Sequence, residues 1–416
     1  MALRVAMLDP SAFTIPYDFH LCRALSAAGS SVTLFTRPTR RPDDCTQPPS
    51  PGTRDFRSTY DTVEHFYRLT ECFRATSSLS VVKHGVKVVE HAWNMVALNR
   101  ILRCLQPDIV HFQWTVVPAI DRLFMRGMRR IAPCVLTVHD TNAVHAPTSP
   151  LQRVGWQAIL QTFDRLIVHT QGGKQALSAA GLDQSRISII PHGVFDSCID
   201  HSRDERKRVD VGPCVFLVFG SIKPYKGIDV LVRALGELPS AVRRNLRLIV
   251  AGTPGRLENE LRTLAARCGV EGLIEWQLRY IPDEEIPCLL ARSDVVVFPY
   301  REIDASGALM TVLPYGKAIV ASRVGVFAEL LRHRDTALLV DPDNPGALAS
   351  ALASIAEDRT MATDMGRRAQ SLANDVCGWD RIAGLTLEAY RGTISRSRAG
   401  SLPGSRTRKS HQGGKL

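Results

Sequence analysis

Short runs of aliphatic and β-branched residues alternate with helix-forming stretches along nearly the whole chain, and this alternation limits the possible folds more than any other feature. Val5 to Leu8, Val32 to Phe35, Ile109 to Phe112, Val135 to Val138, Leu166 to Val168 and Ile187 to Ile190 form a first series. They are apolar at almost every position, as strands of a parallel sheet covered on both faces must be. A second series begins again with Val215 to Phe219, Leu246 to Ala251, Val295 to Phe298, Ala318 to Ala321 and Ala337 to Val340, with helical intervals at Leu257 to Arg267 and Pro345 to Ile355. The polar stretch Ser197 to Gly212 between them, with its Asp-Glu-Arg-Lys-Arg run and closing Gly-Pro, reads as a linker. The pattern predicts an α/β protein of two doubly wound, Rossmann-like domains facing across a cleft, residues 1–204 and 205–375. Ligands of such sheets sit outside the carboxyl ends of the strands, so the cleft is the expected site.

With 416 residues and a mean hydropathy of −0.04 the composition is that of packed globular domains. The net charge is +11, but seven of the surplus cations lie between Arg391 and Leu416, where there is no acid. A mildly basic body with a cationic tail suits a phosphate-bearing substrate or an anionic membrane surface. Nucleic acid is not expected, because the tail has no aromatic residue for base stacking. The ten cysteines are dispersed singly, which reads as reduced thiols in a cytoplasmic protein without a metal site. Met1 to Asp9 reads as a first strand rather than a leader, and no apolar run is long enough to span a bilayer.

Arg37 to Arg57 reads as an exposed loop, and the Ser, Gly and Arg-rich tail from Ser395 as disordered. Val82, Val86, Val89, Trp93 and Val96 recur at helical spacing up to Leu105, which predicts a long amphipathic helix. A core-facing stripe is its plainer outcome; the other is an apolar surface near a lipid acceptor.

Two segments of the second half carry chemistry. Val218 to Leu231 is a strand, then a loop with Gly220, Lys223, Lys226 and Gly227, then a helix, an arrangement that presents backbone N–H groups and ammonium charges to a diphosphate. It lacks the Gly-x-x-x-x-Gly-Lys-Ser/Thr pattern of a Walker loop. Val295 to Ser322 is a strand running into a polar turn, after which Ser306-Gly307 opens a helix that Gly316 closes, giving a second set of amides for an anion.

Together with Ile189-Ile-Pro-His192-Gly193 and Ser322-Arg-Val-Gly325-Val-Phe-Ala-Glu329, these segments resemble the GT-B-fold retaining glycosyltransferases of family 4, which use nucleotide-sugars. The resemblance runs through about residues 1–390 and is most specific between 187 and 345. It implies donor-binding roles for Gly220, Lys223 and Lys226 at the phosphates, with Ser221 where the family has Arg, and for the Ser306, Gly307 and Ala308 amides at the distal phosphate. The family's Glu-x7-Glu carboxylates fall on Ile303 and Thr311. Thr311 then becomes a ribose contact, and the nearby acids Glu302 and Asp304 become acceptors for sugar hydroxyls. Tyr280 and Ile281 match the nucleobase segment, and Glu329 an acid near the donor.

In the first half, His139 in Leu136-Thr-Val-His-Asp matches the histidine that contacts the transferred sugar. His111 and Asn142 are expected acceptor contacts, with His169 a further candidate. The family's glycine-rich loop after the first strand is absent; Asp9-Pro-Ser-Ala-Phe-Thr-Ile-Pro-Tyr17 stands there. Residues 376–394 match the terminal helix that crosses back to the first domain, and 395–416 form the basic tail. Asp341-Pro-Asp343 resembles a metal motif but sits in a turn.

The expected protein is thus a hexosyltransferase moving sugar from a nucleotide diphosphate to an acceptor hydroxyl in polysaccharide or glycolipid synthesis. Lys226, His139 and Asp304 are its catalytic candidates, and no metal or cofactor is required. Its partners are the nucleotide-sugar, a glycan or lipid-linked acceptor and an anionic membrane, at whose cytoplasmic face it would work. The alternatives are a nucleotide-sugar 2-epimerase and a non-catalytic nucleotide-binding scaffold.

Overall fold

The computed structural model describes residues 2–38, 59–73, 80–141, 154–195 and 212–401. The linker and the boundary near residue 205, Asn142, the tail beyond Ser401 and most of the Arg37 to Arg57 segment lie outside them. Two all-parallel sheets are present. The first has the order β3-β2-β1-β4-β5-β6-β7, with β1 Arg4–Asp9, β2 Ser31–Thr36, β3 Asp61–Glu64, β4 Ile109–Phe112, β5 Cys134–Val138, β6 Arg165–Val168 and β7 Ile187–Ile189. The second has the order β10-β9-β8-β11-β12-β13, with β8 Cys214–Phe219, β9 Leu246–Ala251, β10 Ile274–Gln277, β11 Val295–Phe298, β12 Ala318–Ser322 and β13 Leu338–Val340. Strand order reverses between β1 and β4 and between β8 and β11, which defines two switch points.

Both faces of each sheet are covered, so β4, β5, β6 and β11 are buried at every residue. On one face of the first sheet lie α3 (Ser80–Leu105), through Met95, Leu98 and Leu102, and α4 (Pro118–Met128), through Met125 and Met128. The opposite face receives α1 (Ile15–Ala27) and the C-terminal helix Trp379–Ser401. That last helix runs seven residues past the expected end at 394 and is joined to the first sheet by buried polar contacts. Tyr390 Oη lies 2.6 Å from His111 Nδ1, and Arg165 Nε donates to Thr393 Oγ1 at 2.7 Å.

The chain therefore passes between the sheets twice, once after β7 and once before this helix, and the two passages touch. Val194 N donates to Cys377 O at 3.1 Å and Trp379 Nε1 to Val194 O at 2.6 Å. Gly193 lies so close against the Trp379 ring that any side chain there would overlap it. No helix of the described residues is long and apolar enough to cross a membrane.

One strand was not foreseen, and one expectation changes. β3, Asp-Thr-Val-Glu, was not legible as a strand because it is an exposed edge with no buried face. The Val86, Val89, Trp93 and Val96 stripe does not face the core but lies exposed, because α3 packs through Met95, Leu98 and Leu102 instead. Val82 lies where side chains are not described.

Candidate functional site

The carboxyl ends of β8 and β11 carry two loops that pack as one wall. Gly220 ends β8 in the left-handed region, and Gly227, also left-handed, lies so close to Pro299 that a side chain would overlap its carbonyl oxygen. Arg301 N donates to Tyr225 O at 2.7 Å, and the Arg301 guanidinium binds Asp229 at 2.8 and 3.0 Å, Pro224 O at 2.6 Å and Asp343 at 2.6 Å. This accounts for the Asp341-Pro-Asp343 turn, which supplies Arg301 with a counter-charge. No cluster of possible metal ligands occurs among the described residues.

Lys226 is fixed in this wall with only 7% of its surface exposed, its Nζ 5.5 Å from the centroid of the Tyr300 ring. Burial, and then the charge of Lys223, lower its pKa to about 8. Among the described residues it has no carboxylate partner. A buried ammonium without a counter-ion is costly, and an anion in front of it would relieve that cost. Lys223 is half-buried beside it. Ser306 caps the Gly307–Val312 helix by accepting from Leu309 N at 3.2 Å, so the Gly307 and Ala308 amides have no acceptor among the described residues. The Thr311 hydroxyl donates back to Gly307 O at 3.0 Å. Ile281 is buried and Tyr280 is exposed at the second sheet's edge, where Arg279 donates to the Tyr280 carbonyl.

Opposite this wall, His139 follows β5 in an aromatic setting that sequence alone did not assemble. Trp114 stacks on it at 5.4 Å between centroids, and Tyr17 meets it edge-on at 4.9 Å. Its Nδ1 lies 3.1 Å from His169 Nε2, and His169 Nδ1 lies 3.0 Å from Ile190 O. The carbonyl can only accept, so neutral His169 carries its proton on Nδ1 and receives at Nε2 from His139 Nδ1–H. His139 Nε2 is then an acceptor, held 3.0 Å from the Gln113 amide, whose two ends are interchangeable in assignment. Burial first, and then the neighbouring His169 and His192, push the His139 pKa well below its ordinary value.

Beneath this cage, the loop that replaces the glycine-rich turn is held by Asp9, which accepts from Ser11 N and Thr14 N. Asp9 and Asp18 are fully buried, and burial raises both pKa values, that of Asp18 further through the charge of Asp9. His111 is not an acceptor contact. It is fully buried, with one ring nitrogen on Tyr390 and the other 2.8 Å from Thr137 Oγ1, because its strand position turns it toward the C-terminal helix.

Asp304 and Glu329 both reach across the cleft to the first half. Asp304 accepts from Thr141 N at 2.7 Å and from the Thr141 hydroxyl. Glu329 accepts from Gln171 N at 2.6 Å and Gly172 N at 2.7 Å, where the uncapped amides of the Gln171–Ala179 helix favour a carboxylate. Hydrogen bonds to charged groups contribute roughly 1.5–3 kcal/mol each. Replacing Asp304 and Glu329 together with alanine is therefore expected to open the cleft, read as a larger radius of gyration in small-angle scattering. An unchanged scattering curve would remove the latch.

Comparison with known proteins agrees with this arrangement. The family model for glycosyl transferases group 1 matches residues 202–372, and the model for Glycosyltransferase Family 4 matches residues 19–197. D-inositol 3-phosphate glycosyltransferase of Pseudarthrobacter chlorophenolicus is 28% identical over 403 residues, covering 91% of this chain and 90% of that protein. Anabaena HepE in complex with UDP and glucose superposes with a TM-score of 0.66 at 17% identity, covering 94% of this chain and all of that one. Sucrose-phosphate synthase from Thermosynechococcus elongatus superposes at 0.67 and 19% identity, with 95% of this chain and all of that one covered. Two models in succession along the chain, on the matching pair of Rossmann-like halves, place this protein in the GT-B-fold glycosyltransferases of family 4.

Proposed function

We propose that this glycosyltransferase is a retaining hexosyltransferase that takes sugar from a nucleoside diphosphate and gives it to an acceptor hydroxyl in polysaccharide or glycolipid synthesis, at the cytoplasmic face of a membrane. The observation that carries this reading is Lys226, a buried cation with no counter-charge among the described residues, set beside Lys223 and the Gly307 and Ala308 amides. Departure of the nucleoside diphosphate builds negative charge on its distal phosphate, and donors already fixed in a desolvated wall stabilise that charge without reorganising. Positive charge develops at the anomeric carbon, and the His139 ring, held in place by Gln113 and His169, shapes that side of the site. The acceptor oxygen bonds to the anomeric carbon on the face the diphosphate leaves, and its proton passes to a leaving phosphate oxygen. No covalent nucleophile and no metal enters this scheme.

Asp304 and Glu329 act here by holding the domains closed, which keeps water from the activated sugar. Phe13 is partly exposed and meets Trp114 edge-on at 5.5 Å, so it offers an apolar lip to the acceptor. UDP is the favoured nucleotide, since HepE was solved with it.

Thermal-shift measurements with UDP-, GDP- and ADP-sugars test the donor assignment, because a ligand that binds only the folded state raises Tm. A rise with one of the three is expected, and no rise with any of them would count against it. A non-catalytic scaffold is the second reading, favoured by Ile303 and Thr311 where the family has carboxylates. Slow donor hydrolysis lost in Lys226→Met excludes the scaffold; tight nucleotide binding without turnover supports it.

A further inference from the structure

We infer that the outer face of α3 and α4 is a docking surface for an anionic lipid bilayer. α3 is apolar on two sides. One side packs on the sheet, and the other leaves Val89 71% and Trp93 70% exposed, flanked by exposed Val86 and Val96. α4 lies alongside, joined by His91 Nε2 and Asp121 Oδ1 at 2.6 Å, and adds Leu123 at 77% exposure. Among the described residues outside the layer formed by the Arg68–Phe73 helix, α3 and α4, and Val154 beside it, the exposed large apolar side chains are only Phe13, Val63 and Tyr280. Patches of this kind mark an interaction site rather than ordinary surface.

The charges on this face identify what covers it. Arg100 and Arg103 continue the exposed line of α3 after Val96, and Arg122 and Arg126 are exposed on α4. None of the four has an ion-pair partner among the described residues. The two helices contain two acids, Glu90 and Asp121, and both point inward. Glu90 accepts from Leu69 N and Thr70 N, while Asp121 bonds His91 and Val117 N. The face is therefore apolar and cationic with no exposed acid among its described side chains, the composition of an element lying in the headgroup region of an anionic membrane. A second copy related by a twofold axis would set these arginines against one another, which argues against self-association. Helices of a doubly wound sheet start at the carboxyl ends of its strands, so the apolar half of α3 is the half nearer the cleft. A docked membrane would then meet the cleft mouth on its acceptor side.

This deepens the proposed lipid-linked acceptor and can be tested separately from it. The full chain is sedimented with phosphatidylcholine vesicles, with and without phosphatidylglycerol, at low and high salt. Binding is expected only with phosphatidylglycerol and is expected to weaken with salt. Val89→Ser with Trp93→Ser should lower partitioning about tenfold, and Arg122→Gln with Arg126→Gln should reduce the salt-sensitive part. The thermal shift produced by UDP is recorded in each variant, to show that it is folded and that donor binding persists whatever the vesicles do. Wild-type partitioning by both folded variants would assign the binding to the basic tail and overturn the docking face. A dimer in light scattering that Val89→Ser with Trp93→Ser dissolves, with no vesicle binding, would assign the face to a second copy and also overturn it.

Discussion

Replacing Lys226 with methionine is expected to slow sugar transfer by about 100–1,000-fold, the usual cost of removing one preorganised donor to a developing oxyanion. The folded protein should survive the change and gain from it. Burial lowers the Lys226 pKa from 10.5 to about 8, so at neutral pH the native state holds a charge it disfavours by about 3 kcal/mol relative to the unfolded chain. Between pH 8 and 10.5 the unfolded chain keeps this proton while the folded one releases it, so wild-type stability rises with pH across that window. The methionine variant should lose this rise and start from a higher stability at pH 7. Urea midpoints across the range, read with transfer rates, check both halves. A variant with full activity would remove Lys226 from the phosphate site. On the proposed role of Lys226, wild-type affinity for the donor nucleotide should weaken as pH is raised through about 8, where the free protein releases that proton.

Acid should unfold this protein well before its carboxylates are exhausted. His169 is held down to about 4 and His192 to about 3, mainly by burial, and His139 lies well below its ordinary value for the same reason. The unfolded chain takes up protons at all three near pH 6.5 while the folded chain does not, so stability is lost as pH falls below 6.5. The combined loss toward pH 4 is on the order of several kcal/mol. Asp9 and Asp18 act in the opposite sense. Their raised pKa values let the folded state keep protons that the unfolded chain releases above about pH 4, so they offset part of the loss. His192→Asn should flatten the dependence between pH 6.5 and 4; an unchanged slope would show that the histidine cage does not govern it.

Most strands were legible in the sequence because both faces of each sheet are buried, which forces long apolar runs. β3 escaped because an exposed edge imposes no such pattern. The spacing of Val86, Val89, Trp93 and Val96 established a helix but not its rotation, since Met95, Leu98 and Leu102 offer a second apolar side and only packing selects between them. The Lys226 loop could be recognised from its glycines, but the buried setting of the ammonium includes Tyr300, brought in by the loop after β11. Contacts between distant segments were out of reach. Asp304 meets Thr141 across 163 positions and His111 meets Tyr390 across 279, and neither partner could be read from local spacing.

The paired passages at Val194 and Cys377–Trp379 determine how the two halves can move. A single tether would act as a ball joint, free to swing and to twist. Two strands of chain bonded side by side behave as a door hinge, which permits rotation about the line through them and resists the rest. Opening would then draw Asp304 and Glu329 away from the first half along one arc and return them to the same amides on closing. Substrate loading and product escape would share that single degree of freedom.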